Sequence, residues 1–211
     1  MDGPPAHPDP SPVTPSPHQE VSMASASHGR GHRGRRLLDR WPTALALALS
    51  AATFGGTESD EAVASFASIL VLLPLLYLVV AKLEARRATW PLLVGGLAGV
   101  VALRALEVIE PAVVFSALAL IVLLWSVVDG HVFRSGTFRV QALGMLAFGA
   151  LGLIGLAVDP DLGRYLVAAG WFCHGVWDFV HLRRDKVVAR SFAEWCGVID
   201  VVIAAELIFR W

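Results

Sequence analysis

Seven apolar runs of near-membrane length follow one another along this chain, and the charges between them alternate. The runs cover roughly residues 38–56, 62–83, 89–109, 111–129, 138–158, 162–182 and 190–210, each close to the ~20 residues a helix needs to cross a bilayer's hydrocarbon core. Arg30, Arg33, Arg35, Arg36 and Arg40 precede the first run, and the next loop, "GTESDE", has no base. Lys82, Arg86 and Arg87 follow the second run, and the turn around Glu110 has none. Arg134 and Arg139 follow the fourth, and "DPDLGR" offers only Arg164. Arg183, Arg184, Lys186 and Arg190 follow the sixth, and the C-terminus carries Arg210. Bases gather on the cytoplasmic side of membrane proteins, so the alternation puts the N-terminus inside and the C-terminus outside. Six spans would break it. The fold class expected is all-α: an integral membrane bundle of seven transmembrane helices, multi-pass in the cell membrane.

Composition agrees. The chain is 55% hydrophobic with mean hydropathy +0.61, which leaves too little charge to dress a soluble globular surface. A net charge of -1 gives no argument for nucleic acid as a partner. Arginine far outnumbers lysine and asparagine is absent, the bias of a high-GC bacterial genome. Cys173 and Cys196 lie in apolar runs without a CxxC pattern and read as packing residues. Residues 1–36 are rich in Pro, Ser and Arg and cannot bury a core, so they read as a disordered cytoplasmic tail before a membrane domain at 37–211. His18, His28 and His32 lie in that tail, where nothing preorganises a metal site. Met23 is a plausible alternative start.

Pro42, Pro91 and Pro111 fall where helices begin. Pro74 sits mid-run and is expected to kink the second helix. Gly95 with Gly99, and Gly149 with Gly152 and Gly155, form stripes that let helices approach closely. They read as packing within one bundle, with a homo-oligomer face as the alternative.

The sixth run breaks the apolar pattern with "WFCHGVWDFVHLRR". His174, Asp178 and His181 are spaced i, i+4, i+7 and share one helical stripe within about 60° of arc. Ionisable groups in lipid are costly and mark function or a structural clasp. Counting in from the cytoplasmic end, His174 and Asp200 share a depth of roughly 12–15 Å, and Asp178 and Glu194 a shallower one of roughly 6 Å. Glu194 and Asp200 are about 120° apart around the seventh helix, so only one faces the stripe squarely. Glu194 can reach the interface, so Asp200 is the expected partner. Arg104 and Glu206 share an outer depth and are expected to pair. Asp60, Glu61, Glu84, Glu58 and Asp129 lie at helix ends and read as solvated. Trp171 and Trp177 are deep enough to wall a substrate cavity, and Trp195 suits an interfacial belt.

Four readings fit these residues. A clasp would orient the two helices. Acid–base chemistry would use Asp178 and Asp200 as proton donor or acceptor, with His174 and His181 tuning or orienting them. A divalent metal would take His174, Asp178 and His181, with Asp200 as a fourth ligand. A proton-linked transporter would use the same residues as a relay.

"HGVWDFVH" followed by "VVARSFAEWCGVIDVVIA" resembles the C-terminal hairpin of a family of uncharacterised bacterial integral membrane proteins. Their recurring pattern is His-x-x-Trp-Asp-x-x-His, a short basic loop, and a helix with a central Asp. Here it falls on His174, Trp177, Asp178, His181 and Asp200. The small size and seven runs are also similar to membrane-bound terpene cyclases and to small seven-span lipid hydrolases with metal-binding histidines. The first likeness implies an intramembrane acid protonating an isoprenoid, and the second a metal-dependent hydrolase. The function expected is a membrane-embedded enzyme acting on a lipid or isoprenoid, with an apolar small molecule as substrate. A transporter or structural component is the alternative.

Overall fold

The computed structural model describes residues 3, 40–53 and 60–209. Two compact units divide the chain, Met1–Trp41 and Pro42–Trp211. The N-terminal tail with its histidines, Met23, the arginines from Arg30 to Arg36, Glu58 and Arg210 lie outside the described residues.

Among the described residues all regular structure is helical. The helices are α1 (Trp41–Thr53), α2 (Asp60–Leu83), α3 (Thr89–Leu106), α4 (Pro111–Val128), α5 (Gly136–Ala157), α6 (Pro160–Arg184) and α7 (Arg190–Phe209), with a 3-10 turn at Arg86–Ala88 and a single helical turn at His131–Arg134. One helix thus falls on each apolar run. Pro111 and Pro160 sit in the first turns of α4 and α6, where the missing N–H costs no hydrogen bond. The Ser135 hydroxyl accepts from Phe138 N at 3.1 Å and caps α5. Glu107, in the left-handed region at φ 51°, ends α3.

Four stretches are long and apolar enough to cross a membrane: Asp60–Leu83, Arg86–Leu106, Pro111–Val128 and Gly136–Ala157. α1 is apolar but shorter. α6 and α7 have the length, at 25 and 20 residues, but their ionisable side chains lower their hydropathy.

α2 is the centre of the bundle. It packs against α3, α4, α5 and α6, and its residues from Leu70 to Leu78 are buried. It runs unbroken through Pro74. α3 and α4 turn large aliphatics outward, with Val101 69% and Leu124 64% exposed. An apolar exterior around buried histidine and aspartate inverts the pattern of a water-soluble protein.

The glycines act as close-approach points within the bundle. A Cβ on Gly152 would come 3.0 Å from the Ala67 carbonyl oxygen of α2, and one on Gly155 would come 3.2 Å from the Gly163 oxygen of α6. In α3 the tight position is Gly96, where a Cβ would come 2.6 Å from Leu72 Cδ1, whereas one on Gly95 would meet nothing within 4 Å and one on Gly99 only Phe115 at 3.8 Å.

Two pairings differ from expectation. Arg104 Nη2 lies 3.7 Å from Glu110, not against Glu206. α3 packs on α2 and α4, and Glu110 in the α3–α4 turn is the carboxylate within its reach. Asp129 is exposed but not merely solvated: it accepts from the buried Lys82 ammonium, which also stands 4.6 Å over the Trp125 ring. The Lys82 hydrogen bond, helped by the His131 backbone N–H, holds the Asp129 carboxyl below the usual range.

The α6–α7 loop is tied to the α2–α3 turn. Arg86 pairs with Asp185 at 2.6 Å and donates from Nε to the Val188 carbonyl at 3.1 Å. The Ala189 N–H donates to Thr89 Oγ1 at 3.1 Å. Within this loop Val187 holds φ 73°, a costly conformation for a β-branched residue.

Candidate functional site

α6 and α7 form the most extensive helix pair in the bundle, and small residues set how close they come. A Cβ on Gly175 would meet Asp200 Cβ at 3.1 Å and the Gly197 carbonyl oxygen at 3.3 Å. One on Gly197 would meet Asp178 Cβ at 3.2 Å. Two glycines, one on each helix, therefore let the acidic residues of the hairpin face each other across a short gap.

His174 occupies that gap. Its Nδ1 lies 2.7 Å from Asp200 Oδ2 and 3.4 Å from Asp178 Oδ2. Carboxylates accept, so Nδ1 carries the hydrogen and donates to Asp200. Asp200, the partner expected from the angle between the two carboxylates and the reach of Glu194, faces the stripe. Glu194 turns toward α1 and accepts from Thr43 Oγ1 at 2.6 Å.

Two residues complete the group from directions the sequence did not indicate. Cys196 Sγ donates to Asp200 Oδ1 at 3.6 Å, so this thiol belongs to the polar centre and is more than packing. It lies one helical turn before Asp200 on the same face, which spacing alone could have revealed. Tyr77 of α2 donates its hydroxyl to Asp178 Oδ1 across 101 positions of sequence. Its only signal was a lone phenol in an aliphatic run.

His174, Asp178 and Asp200 are wholly buried and Cys196 nearly so. Phe148 stands edge-on to the His174 ring at 5.1 Å and Tyr77 at 5.8 Å. His174 Nε2 and Asp178 Oδ2 have no hydrogen-bond partner among the described residues. One ligand atom from each of His174, Asp178, Cys196 and Asp200 lies within 4.8 Å of the others. These four side chains form a buried donor group that could hold a metal ion.

His181 is outside this group. The seven-residue step from His174 returns to the same face but advances about 10 Å along the helix. Its Nδ1 donates to the Trp177 carbonyl at 2.9 Å, and its Nε2 lies 3.1 Å from Gln141 Nε2 of α5. With Nδ1 the donor, Nε2 of the neutral ring accepts from the Gln141 amide. The donor set is therefore His174, Asp178, Cys196 and Asp200, in place of His174, Asp178 and His181. His181 still adjoins it: its ring centroid is 4.9 Å from that of Tyr77.

The tryptophans divide. Trp171 is 2% exposed and donates from Nε1 to the Phe66 carbonyl at 3.1 Å, which fastens α6 to α2. Trp177 is half-buried, stacks against His181 at 4.9 Å and lies over Gly144 of α5. Trp195 is buried against Trp90 at 5.6 Å. Arg104 and Glu206 lie outside the polar centre.

No protein-family description, curated protein or solved structure matches this sequence.

Proposed function

We propose that the chain is a multi-pass enzyme of the cell membrane, with seven spans and a cytoplasmic N-terminus, that performs acid–base chemistry on a lipid or isoprenoid. Asp178 and Asp200 are the proton-transferring groups. His174 lies between them and passes or orients the proton, and Tyr77 fixes Asp178.

One observation carries this reading: two fully buried carboxylates face one imidazole nitrogen, at 2.7 and 3.4 Å. Two carboxylates and one imidazolium leave excess negative charge in a medium that tolerates little of it. A shared proton balances the group, and a proton so held is available for transfer. The unpartnered Oδ2 of Asp178 gives it an acceptor, and the unpartnered Nε2 of the imidazolium is a free donor. His181, bonded to Gln141, packs its ring edge-on against Tyr77 on the side of the α6–α7 loop.

A divalent cation would balance the same charge, and the convergence of four donors within 4.8 Å favours this as a second reading. His174, Asp178, Cys196 and Asp200 would hold the ion, which would supply Lewis-acid chemistry. Loading would release protons from the ligands, so occupancy would rise with pH.

The test is turnover of lipid and isoprenoid extracts by the purified full chain, with metal content measured on the same sample. Asp178→Asn and Asp200→Asn should each keep the fold and remove turnover. If the metal reading holds, each should also lower bound metal. Two stable variants with unchanged turnover would overturn the enzyme reading and leave a clasp or a transport relay.

A further inference from the structure

A second polar site lies where α5 begins and α6 ends. A cavity of about 390 Å³ opens there, lined by Thr137, Gln141, His181, Arg184, Lys186 and Val187 among others. We infer that this vestibule binds a phosphate-bearing group that also carries a hydroxyl or amine, the chemistry of a glycerophospholipid headgroup.

Three features fit such a ligand. Arg184 and Lys186 stand at the cavity with no carboxylate partner among the described residues, whereas neighbouring Arg86 and Asp185 pair with each other. Arginine and lysine together are the usual cations for phosphate. The first residues of α5, Gly136 and Thr137, also line the cavity, and a helix N-terminus attracts anions through its free N–H groups and dipole.

The third feature is independent of charge. Gln141 is 2% exposed and lines the cavity, yet its Oε1 has no hydrogen-bond partner among the described residues. Its Nε2 is committed to His181 Nε2, so the amide cannot be reversed without losing that bond: Nδ1 of His181 already holds the ring's proton against Trp177. A buried carbonyl oxygen without a donor costs about 1–3 kcal/mol. A ligand that brings a donor as well as an anion satisfies both features. A bare phosphodiester without hydroxyl or amine satisfies the bases but not Gln141.

This site stands beyond the proposed chemistry, because its binding needs no turnover. It also adjoins that chemistry, since Gln141 holds His181 and His181 lies against Tyr77. A lipid seated here by its headgroup would lie alongside the bundle with its chains in the bilayer.

The experiment uses the purified full chain and native mass spectrometry, with phosphatidylglycerol, phosphatidylcholine and inorganic phosphate as probes. Wild type should retain phosphatidylglycerol at least tenfold better than phosphatidylcholine. Arg184→Gln with Lys186→Gln, both exposed positions, should bring retention down to the phosphatidylcholine level at unchanged helical content. Gln141→Leu should lower phosphatidylglycerol retention severalfold with both bases in place. Asp200→Asn should retain the lipid as wild type does, which keeps this result separate from any failure of the acid–base reading. Displacement of phosphatidylglycerol by millimolar inorganic phosphate, with retention of the phosphate itself, would assign the site to a soluble phosphate compound. Retention of phosphatidylglycerol by the double variant equal to that of wild type, or of neither probe by wild type, overturns the proposal.

Discussion

His174 and Asp200, 26 positions apart on neighbouring helices, meet through a 2.7 Å contact between Nδ1 and Oδ2 with neither side chain exposed. The contact exists because Gly175 and Gly197 leave no side chain between α6 and α7. Everything else in the polar centre is arranged around it.

Removing Asp200 without replacing its hydrogen bonds should be severe. Asp200→Ala strands the His174 N–H and the Cys196 thiol, and breaking a buried charged pair costs about 3–5 kcal/mol. Asp200→Asn keeps an acceptor and should cost markedly less. The comparison is read from unfolding midpoints in mild detergent. Equal midpoints for Ala and Asn would show that Asp200 does not hold the hairpin together.

Tyr77→Phe removes one hydroxyl and no packing volume to speak of. Asp178 Oδ1 then loses its donor inside the bundle, and Oδ2 already lacks one. The expected loss is about 1–3 kcal/mol of stability, with turnover reduced but not abolished, since Tyr77 positions Asp178 rather than transferring the proton. Double-mutant analysis with Asp178→Asn checks this: additive losses would mean the two residues are not coupled.

Gly175→Leu should separate the hairpin. Even a methyl would stand 3.1 Å from Asp200 Cβ and 3.3 Å from a backbone oxygen, and backbone cannot yield as a flexible side chain can. Cysteines placed at positions 174 and 200, with Cys173 and Cys196 replaced, should crosslink in the Gly175 parent and fail to do so with leucine there. Undiminished crosslinking would show that the helices do not depend on the glycine.

The Lys82–Asp129 pair predicts a pH effect at one end of the bundle. The folded carboxyl is held below its ordinary value of about 3.9. Its contribution to stability is therefore fully present above that value and is lost as pH falls through the folded value. Unfolding midpoints should drop between about pH 4 and the lower folded value, and Asp129→Asn should flatten that part of the curve. A wild-type curve with the same slope as the variant's would discount the pair.

Topology has its own test. A reporter fused after Trp211 should read as extracytoplasmic and one inserted near Lys186 as cytoplasmic. Both on the same side would remove the seven-span arrangement.

The sequence alone determined the helices and much of the hairpin. Apolar run length, starting prolines and turn residues are local properties, so one helix appears on each run with bounds shifted by only a few residues where both ends are described. The facing of His174 and Asp200 was also legible, because two adjacent antiparallel helices joined by a short loop share a depth scale of about 1.5 Å per residue. What the tertiary structure decided is which other helices close over that pair. Tyr77 reaches Asp178 only because α2 is central, and Gln141 reaches His181 only because α5 packs beside α6. Nothing in the spacing of either residue encodes that neighbour. His181 shows the converse: angular position put it on the stripe with His174, but axial rise carried it about 10 Å away to a different partner. Periodicity fixes the face a residue shares. Only packing between distant segments fixes what that face meets.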